Sequence, residues 1–178
     1  MRVIKIKNLV EKAKHGDKEA FIALFQLYKD QLYRMAYIYT RNKDDALDVM
    51  QETAYQAYKK ISTLKNEMYF KTWIIRITIN CSINLVRKQE KALNIEPEYI
   101  QKSFYKDDDV PLYIIIEELL SYLNYSEKSV IILKFYFGYS YNEIGEMLNL
   151  PIGTIKSRYY RSLDKLRKSV ERGDYYEE

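Results

Sequence analysis

The sequence predicts an all-α fold: two helical modules joined by an acidic linker. Three observations carry this. Apolar residues recur at three- and four-residue spacing along most of the chain, with little alternation. Chain breakers are scarce, with 5 glycines and 3 prolines in 178 residues, which favours long helices. Residues that start helices, among them Asp17, Ser126 and Ser140, stand ahead of several of the periodic runs.

Composition narrows the function. A hydrophobic content of 47 % is enough to build a core. The net charge of +4 is modest but unevenly spread. Residues 1–90 hold 17 basic and 10 acidic side chains, residues 91–112 hold 3 and 5, and residues 113–178 hold 9 and 10. The single cysteine, Cys81, excludes an internal disulfide and reads as a reduced core residue of a cytoplasmic protein. No apolar run approaches the roughly 20 residues of a membrane span, and the basic N-terminus lacks the apolar core of a signal peptide. The only histidine, His15, lies in a turn, which leaves no Ser/His/Asp set. With no glycine-rich phosphate loop and no metal-ligand spacing either, nothing argues for an enzyme or a cofactor.

The first module spans residues 1–91. Residues 1–14 read as a short, partly helical lead-in, and Asp17 as the cap of the next helix. From Lys18 to Thr40 an apolar stripe (Phe21, Leu24, Phe25, Tyr28, Leu32, Met35, Ala36, Tyr39) predicts a long amphipathic helix. Its aromatic residues suit a core better than a platform for bases. Arg41-Asn42-Lys43 makes a turn. A second helix runs from Asp44 to Lys60, with Ala46, Val49, Met50, Thr53, Ala54, Ala57 and Tyr58 inward and Asp45, Asp48, Gln51, Glu52 and Gln56 outward. Asp44, Asp48 and Glu52 share a face, but without a fourth ligand they read as a solvated or protein-docking surface. Ile61–Tyr69 reads as a loop that exposes Asn66, Met68 and Tyr69. A third helix follows from Phe70 to Lys91, burying Trp73, Ile74, Ile77, Cys81 and Leu85, with Ile83 and Val86 alongside. Lys71, Arg76, Asn80, Asn84, Arg87 and Lys88 point away from that face. Its density of β-branched residues makes a strand over Trp73–Ile79 the competing assignment, but the run does not alternate.

From 92 to 111 the periodicity dissolves into a linker with Pro97, Pro111 and the run Lys106-Asp107-Asp108-Asp109. The second module spans 112–178. It begins with an amphipathic helix over Leu112–Leu123, a turn, and a helix over Glu127–Phe137 capped by Ser126 and ended by Gly138. The acidic tail GDYYEE closes the chain. Between them, Ser140–Val170 reads as two short helices and a tight turn. Ser140 and Glu143 form a capping box. Ile144, Met147 and Leu148 make the apolar stripe, Asn149-Leu150 breaks the helix, and Pro151 suits the first position of the next. That next helix separates by face. Ile152, Ile155, Tyr159, Ser162, Leu163, Leu166 and Val170 fall on one side; Thr154, Ser157, Tyr160, Arg161, Asp164 and Lys168 fall on the other, with Lys156 and Arg158 at the seam. Seven basic residues oppose two acidic ones between Ile152 and Arg172. A basic helix braced by a short partner is how a helix-turn-helix enters a major groove, its first turns at base edges and its remainder along phosphates.

Three segments in order, Asp45–Tyr58 (DALDVMQETAYQAY), Trp73–Lys88 (WIIRITINCSINLVRK) and Gly153–Arg158 (GTIKSR), resemble bacterial sigma factors of the sigma-70 family, in particular the small extracytoplasmic-function (ECF) type. The resemblance covers nearly the whole chain. It implies a transcription initiation factor that performs no covalent chemistry. The first module would be sigma region 2, and the second sigma region 4. Asp45, Leu47, Asp48, Gln51 and Glu52 would dock on the β′ clamp helices of core RNA polymerase, with the β flap as a further contact. The loop Ser62–Tyr69, through Asn66 and Tyr69, would capture an extruded base of the minus-10 element. Lys71, Arg76, Asn80, Asn84, Arg87 and Lys88 would follow the backbone and help open the duplex. Thr154, Lys156, Ser157, Arg158, Tyr160 and Arg161 would read the minus-35 element. The linker, Asn94–Pro111, would thread toward the RNA exit path. A membrane-anchored anti-sigma factor would hold the protein silent. The chain departs from the family pattern at Asn84, where an acid is usual, at Pro151, where many members have Ser, and in the Ile-rich run Ile74–Ile79. Two rival readings are a helix-turn-helix regulator that binds duplex DNA alone as a dimer, and an adaptor that uses only the acidic face of Asp44–Gln56.

Overall fold

The computed structural model describes residues 2–92 and 119–171, and among these every regular element is helical. Backbone contacts divide the chain into two units, Met1–Ile95 and Glu96–Glu178. The linker, most of the helix expected over Leu112–Leu123 and the acidic tail lie outside the described residues.

The first unit holds α1 (Arg2–Lys14), α2 (Lys18–Thr40), α3 (Lys43–Lys60) and α4 (Phe70–Ala92), with short 3-10 turns at Ile61–Thr63 and Glu67–Tyr69. The lead-in, expected to be partly helical, is helical over Arg2–Lys14. Val10 and Ala13 of α1 are buried against the bundle. α1 ends at Gly16, whose φ of 93° belongs to the left-handed region where a side chain is strained. Asp17 then caps α2 by accepting from the Ala20 N–H at 3.0 Å. Leu24, Leu32, Met35 and Ala36 of α2 are fully enclosed. Each large one contributes about 1.5–3 kcal/mol by leaving water.

α3 begins one residue earlier than expected because Asn42 caps it, accepting from the Asp44 and Asp45 N–H groups at 2.8 and 3.0 Å. Ala46, Val49, Met50, Thr53 and Ala57 face inward as predicted, whereas Tyr58 is partly exposed and meets Phe21 edge-on. α4 is a helix and not a strand, but its buried face is rotated from the expected one. Phe70, Ile74, Ile75, Thr78, Ile79 and Ser82 form the core, while Trp73, Ile77, Cys81 and Leu85 sit at its margin. Two small hydroxyls can occupy that face because each has a backbone partner one turn back. Thr78 donates to the Ile74 carbonyl at 3.0 Å and Ser82 to the Thr78 carbonyl at 2.8 Å. Burial pushes the Cys81 thiol up, against a lowering contact from Thr53, so it remains a protonated packing group beside Ala36, Ala46 and Val49.

The second unit holds α5 (Tyr125–Ile131), extended by a π-type turn over Ile132–Tyr136, then α6 (Tyr141–Leu148) and α7 (Ile152–Glu171). Asn124, rather than Ser126, caps α5. Its side chain accepts from the Ser126 and Glu127 N–H groups, and Glu127 reaches back to the Asn124 N–H. The capping box of α6 is the expected one, Ser140 with Glu143. Pro151 stands just before α7, where its carbonyl accepts from the Ile155 N–H at 3.1 Å.

Candidate nucleic-acid interface

α6 ends in a tight turn. Asn149 takes the left-handed conformation (φ 54°), and the Leu150 N–H closes back on the Gly145 carbonyl at 2.9 Å. The approach is close enough that a Cβ on Gly145 would lie 2.9 Å from the Leu150 carbonyl oxygen. Glycine at 145 therefore sets the angle at which α7 leaves the turn.

The seam of α7 runs through Ile155, Ser162 and Ser169, all buried. The serines are satisfied by the helix backbone, Ser162 donating to the Arg158 carbonyl and Ser169 to the Leu166 carbonyl. Ile152 and Val170, expected on the packed face, are 43 % and 51 % exposed. Both stand at the ends of α7, Ile152 as its first residue and Val170 as its last but one.

Of the six residues assigned to minus-35 reading, Lys156, Ser157, Tyr160 and Arg161 are exposed together on one face, and Thr154 is half-buried beside them. Arg161 lies along the helix, donating to the Ser157 hydroxyl at 3.0 Å. Arg158 is directed differently. It is half-buried and donates to the Ser126 hydroxyl at the start of α5. Lys165 makes a parallel tie, 2.8 Å from Glu127, whose side chain is nearly buried. Two of the seven basic residues thus brace α7 against α5 and fix the azimuth at which the others are presented. An aromatic cluster continues the surface: Tyr159 contacts Phe135, Tyr141 and Tyr160, with ring centroids 5.2–5.8 Å apart. The exposed Phe135 and Tyr136 were not legible as surface residues, because their spacing matches that of the buried face of α5.

In the first unit, Lys71, Arg76, Asn80, Asn84, Arg87 and Lys88 are all exposed on α4. The preceding loop is anchored by the buried Ile61 and Leu64. Asn66, exposed, uses its side-chain oxygen to cap the Glu67–Tyr69 turn, accepting from the Met68 N–H at 3.0 Å. Met68 and Tyr69 project into solvent. Lys14 of α1 donates to the Glu67 carboxylate at 2.7 Å, which holds that carboxyl below its ordinary range. The linkage sign follows: any stability from this pair is present above the unfolded carboxyl pKa and is lost as pH falls through the lower folded one.

On α3, Leu47, Asp48, Gln51 and Glu52 are exposed, while Asp45 is half-buried and accepts from Gln89 of α4 at 2.9 Å. Tyr55, 59 % exposed, extends this face and was missed. The signal was present in the i, i+4, i+8 spacing of Leu47, Gln51 and Tyr55. Among the described residues no three His, Cys, Asp or Glu side chains come together as a metal site, and no helix is long and apolar enough to cross a membrane.

Two family models match the chain: Sigma-70 region 2 over residues 24–92 and Sigma-70 region 4 over residues 113–166. RNA polymerase sigma factor SigV of Bacillus subtilis (strain 168) is 31 % identical over 169 residues, covering 92 % of this chain and 98 % of that protein. ECF RNA polymerase sigma factor SigW of the same strain is 31 % identical over 180 residues, covering 93 % and 96 %. Among solved structures, CnrH in complex with the cytosolic domain of CnrY matches with a TM-score of 0.72 at 22 % identity, covering 94 % of this chain and 98 % of that one. The sigma factor RpoE in complex with the anti-sigma factor NepR, from Bartonella quintana, matches with a TM-score of 0.69 at 23 % identity, covering 85 % and 96 %. At these identities the structural likeness speaks for the fold.

Proposed function

This chain belongs to the sigma-70 family of RNA polymerase sigma factors, in its ECF group, and from that we propose how its surfaces divide the work of transcription initiation. Its function is non-enzymatic: it is an initiation factor. The exposed side of α3 docks on the β′ clamp helices of core polymerase, and the second unit adds a contact on the β flap. The exposed side of α4 follows the minus-10 strand. Asn66 and Tyr69 hold an unstacked base, so that binding energy offsets the few kcal/mol of unstacking. Lys156, Ser157, Tyr160 and Arg161, with Thr154 beside them, read the minus-35 element. Arg158 acts there as a brace through Ser126. The domain limits 1–91, 92–111 and 112–178 follow the same division.

The observation that carries this reading is the segregation on α4. All six polar and basic candidates are exposed, and the buried face opposite them holds only apolar and self-satisfied hydroxyl residues. The rival duplex-binding regulator leaves both this face and the loop unused.

The protein works in the cytoplasm. Its structural neighbours were solved as complexes with CnrY and with the anti-sigma factor NepR. An inhibitor of that kind, anchored in the membrane, would compete with polymerase for α3 and with DNA for α7.

The test is run-off transcription with purified core polymerase on promoters of the source genome. Specific transcripts that require this chain support the reading, and their absence overturns it. On such a promoter, Arg161→Ala weakens minus-35 recognition by about 1–3 kcal/mol if it holds a guanine edge. A template with the minus-35 guanines replaced should already lack that energy, so the variant should lose little more on it.

A further inference from the structure

The base-capturing loop does not stand on α4 alone. Glu67 opens the 3-10 turn, Asn66 caps it, and Met68 and Tyr69 follow, so one side chain lies within two residues of both capture candidates. That side chain is tied across 53 positions of sequence to Lys14, at 2.7 Å. Both partners are well covered, at 22 % and 19 % exposure. The Lys7–Glu11 pair of the same unit differs, being half-exposed and 3.8 Å apart. A solvent-exposed pair of that kind is screened and weak, whereas a covered one with hydrogen-bond geometry is directional.

The backbone that carries Lys14 is anchored on both sides. Lys14 ends a helix seated by the buried Val10 and Ala13. The corner after it is closed by His15, Gly16 and Asp17 N–H groups, which donate to the carbonyls of Glu11, Lys12 and Ala13, and by the His15 ring against the Glu11 carbonyl at 2.7 Å. An ammonium on a fixed corner, bonded to the first residue of a short turn, transmits the position of α1 to that turn. A 3-10 turn of three residues has little rigidity of its own.

We propose that Lys14 and Glu67 are positioning residues for promoter opening: their ion pair ties α1 to the loop and sets the geometry in which Asn66 and Tyr69 receive an unstacked base. This rests on the base-capture reading of the loop given above. Neither residue touches DNA in this scheme. α1 becomes part of the recognition apparatus, although no motif in residues 1–14 pointed to it.

The experiment uses holoenzyme assembled from core polymerase and the full chain. The probe is a forked DNA from a promoter that the chain activates, with the minus-10 non-template strand single-stranded. Lys14→Met and Glu67→Gln each lower affinity for the fork by about fivefold to tenfold, the weight of one coupled pair. The double variant loses no more than either single one, because both remove the same contact. Lys14→Arg, which keeps the charge, retains most of the affinity. When the captured base is replaced by an abasic site, parent and variants bind alike; a general loss of folding would not produce that equality. Affinity for core polymerase without DNA stays unchanged. Should the pair variants bind the fork like the parent while Asn66→Ala and Tyr69→Ala bind it poorly, the positioning role is wrong and base capture stands. Should Asn66→Ala and Tyr69→Ala also bind like the parent, base capture is wrong and the positioning role falls with it.

Discussion

Asp48→Arg is expected to eliminate assembly with core RNA polymerase at concentrations where the parent chain is fully bound. Asp48 is exposed in the N-terminal third of α3, with Asp44 and Glu52 one turn to either side and Leu47 and Gln51 adjacent. A row of carboxylates around an exposed leucine fits a basic partner surface with an apolar centre. Reversing the central charge does more than delete one attraction. It sets a guanidinium against like charge, at a cost of several kcal/mol, which is hundredfold or more in affinity. The side chain makes no inward contact, so the thermal midpoint moves little; exposed substitutions of this type stay within about 0.5 kcal/mol. Tyr55→Ala tests the apolar part separately. An exposed aromatic on a docking face has the character of a hot spot, and its truncation costs about 2 kcal/mol in binding. Holoenzyme formation followed by fluorescence anisotropy, beside a melting curve for each variant, checks both. Parent-like assembly by Asp48→Arg would remove α3 from the polymerase interface.

Gly145→Val unfolds the helix-turn-helix, while Gly153→Ala, eight residues on, stabilises it. The physical difference is space. At position 145 the first side-chain atom would lie 2.9 Å from the Leu150 carbonyl oxygen, a rigid backbone atom, and Ile155 lies close behind it. Valine adds two further methyl groups to that clash. Relieving it means opening the turn that places α7, for about 1–3 kcal/mol of overpacking and more where the backbone cannot yield. A small unit has little stability to spare, so a loss of this size depopulates its native state. At position 153 nothing lies within 4 Å, the residue is exposed, and it belongs to a helix. Alanine there gains about 0.5–1 kcal/mol by restricting the unfolded chain and favouring helix. Far-UV melting of the two variants checks the opposite signs. If Gly153→Ala folds better yet binds minus-35 DNA less well, the added methyl has met the DNA, and the glycine serves the interface instead of the fold.

Much of this was legible along the chain. The boundaries of α2 came from Asp17 and its apolar stripe, and those of α6 from the Ser140–Glu143 box, because capping is chemistry between residues three apart. The exposure of the α4 polar residues and of the α7 Lys156–Arg161 face followed from 100° per residue. Asn124 caps α5 in place of Ser126 because Glu127, three residues on, completes a capping box with it, and Lys165, thirty-eight residues further, holds that carboxylate. α4 buries Thr78 and Ser82 and leaves Trp73 at the margin, and the two hydroxyls can be buried because each donates to a carbonyl one turn back. The resemblance alone puts Arg158 among the DNA contacts, and the tie of its guanidinium to Ser126, thirty-two residues away, is visible only in the folded chain.

Local sequence thus determined which segments are helices, where most of them start, and which faces carry charge, since those properties depend on hydrogen bonds and periodicity within a few residues. Tertiary structure alone decided that α1 is joined through Lys14 to Glu67, that Gly145 cannot bear a side chain, and that Arg158 and Lys165 are tied to Ser126 and Glu127. Those depend on partners separated along the chain, whose distances follow only from how the helices pack.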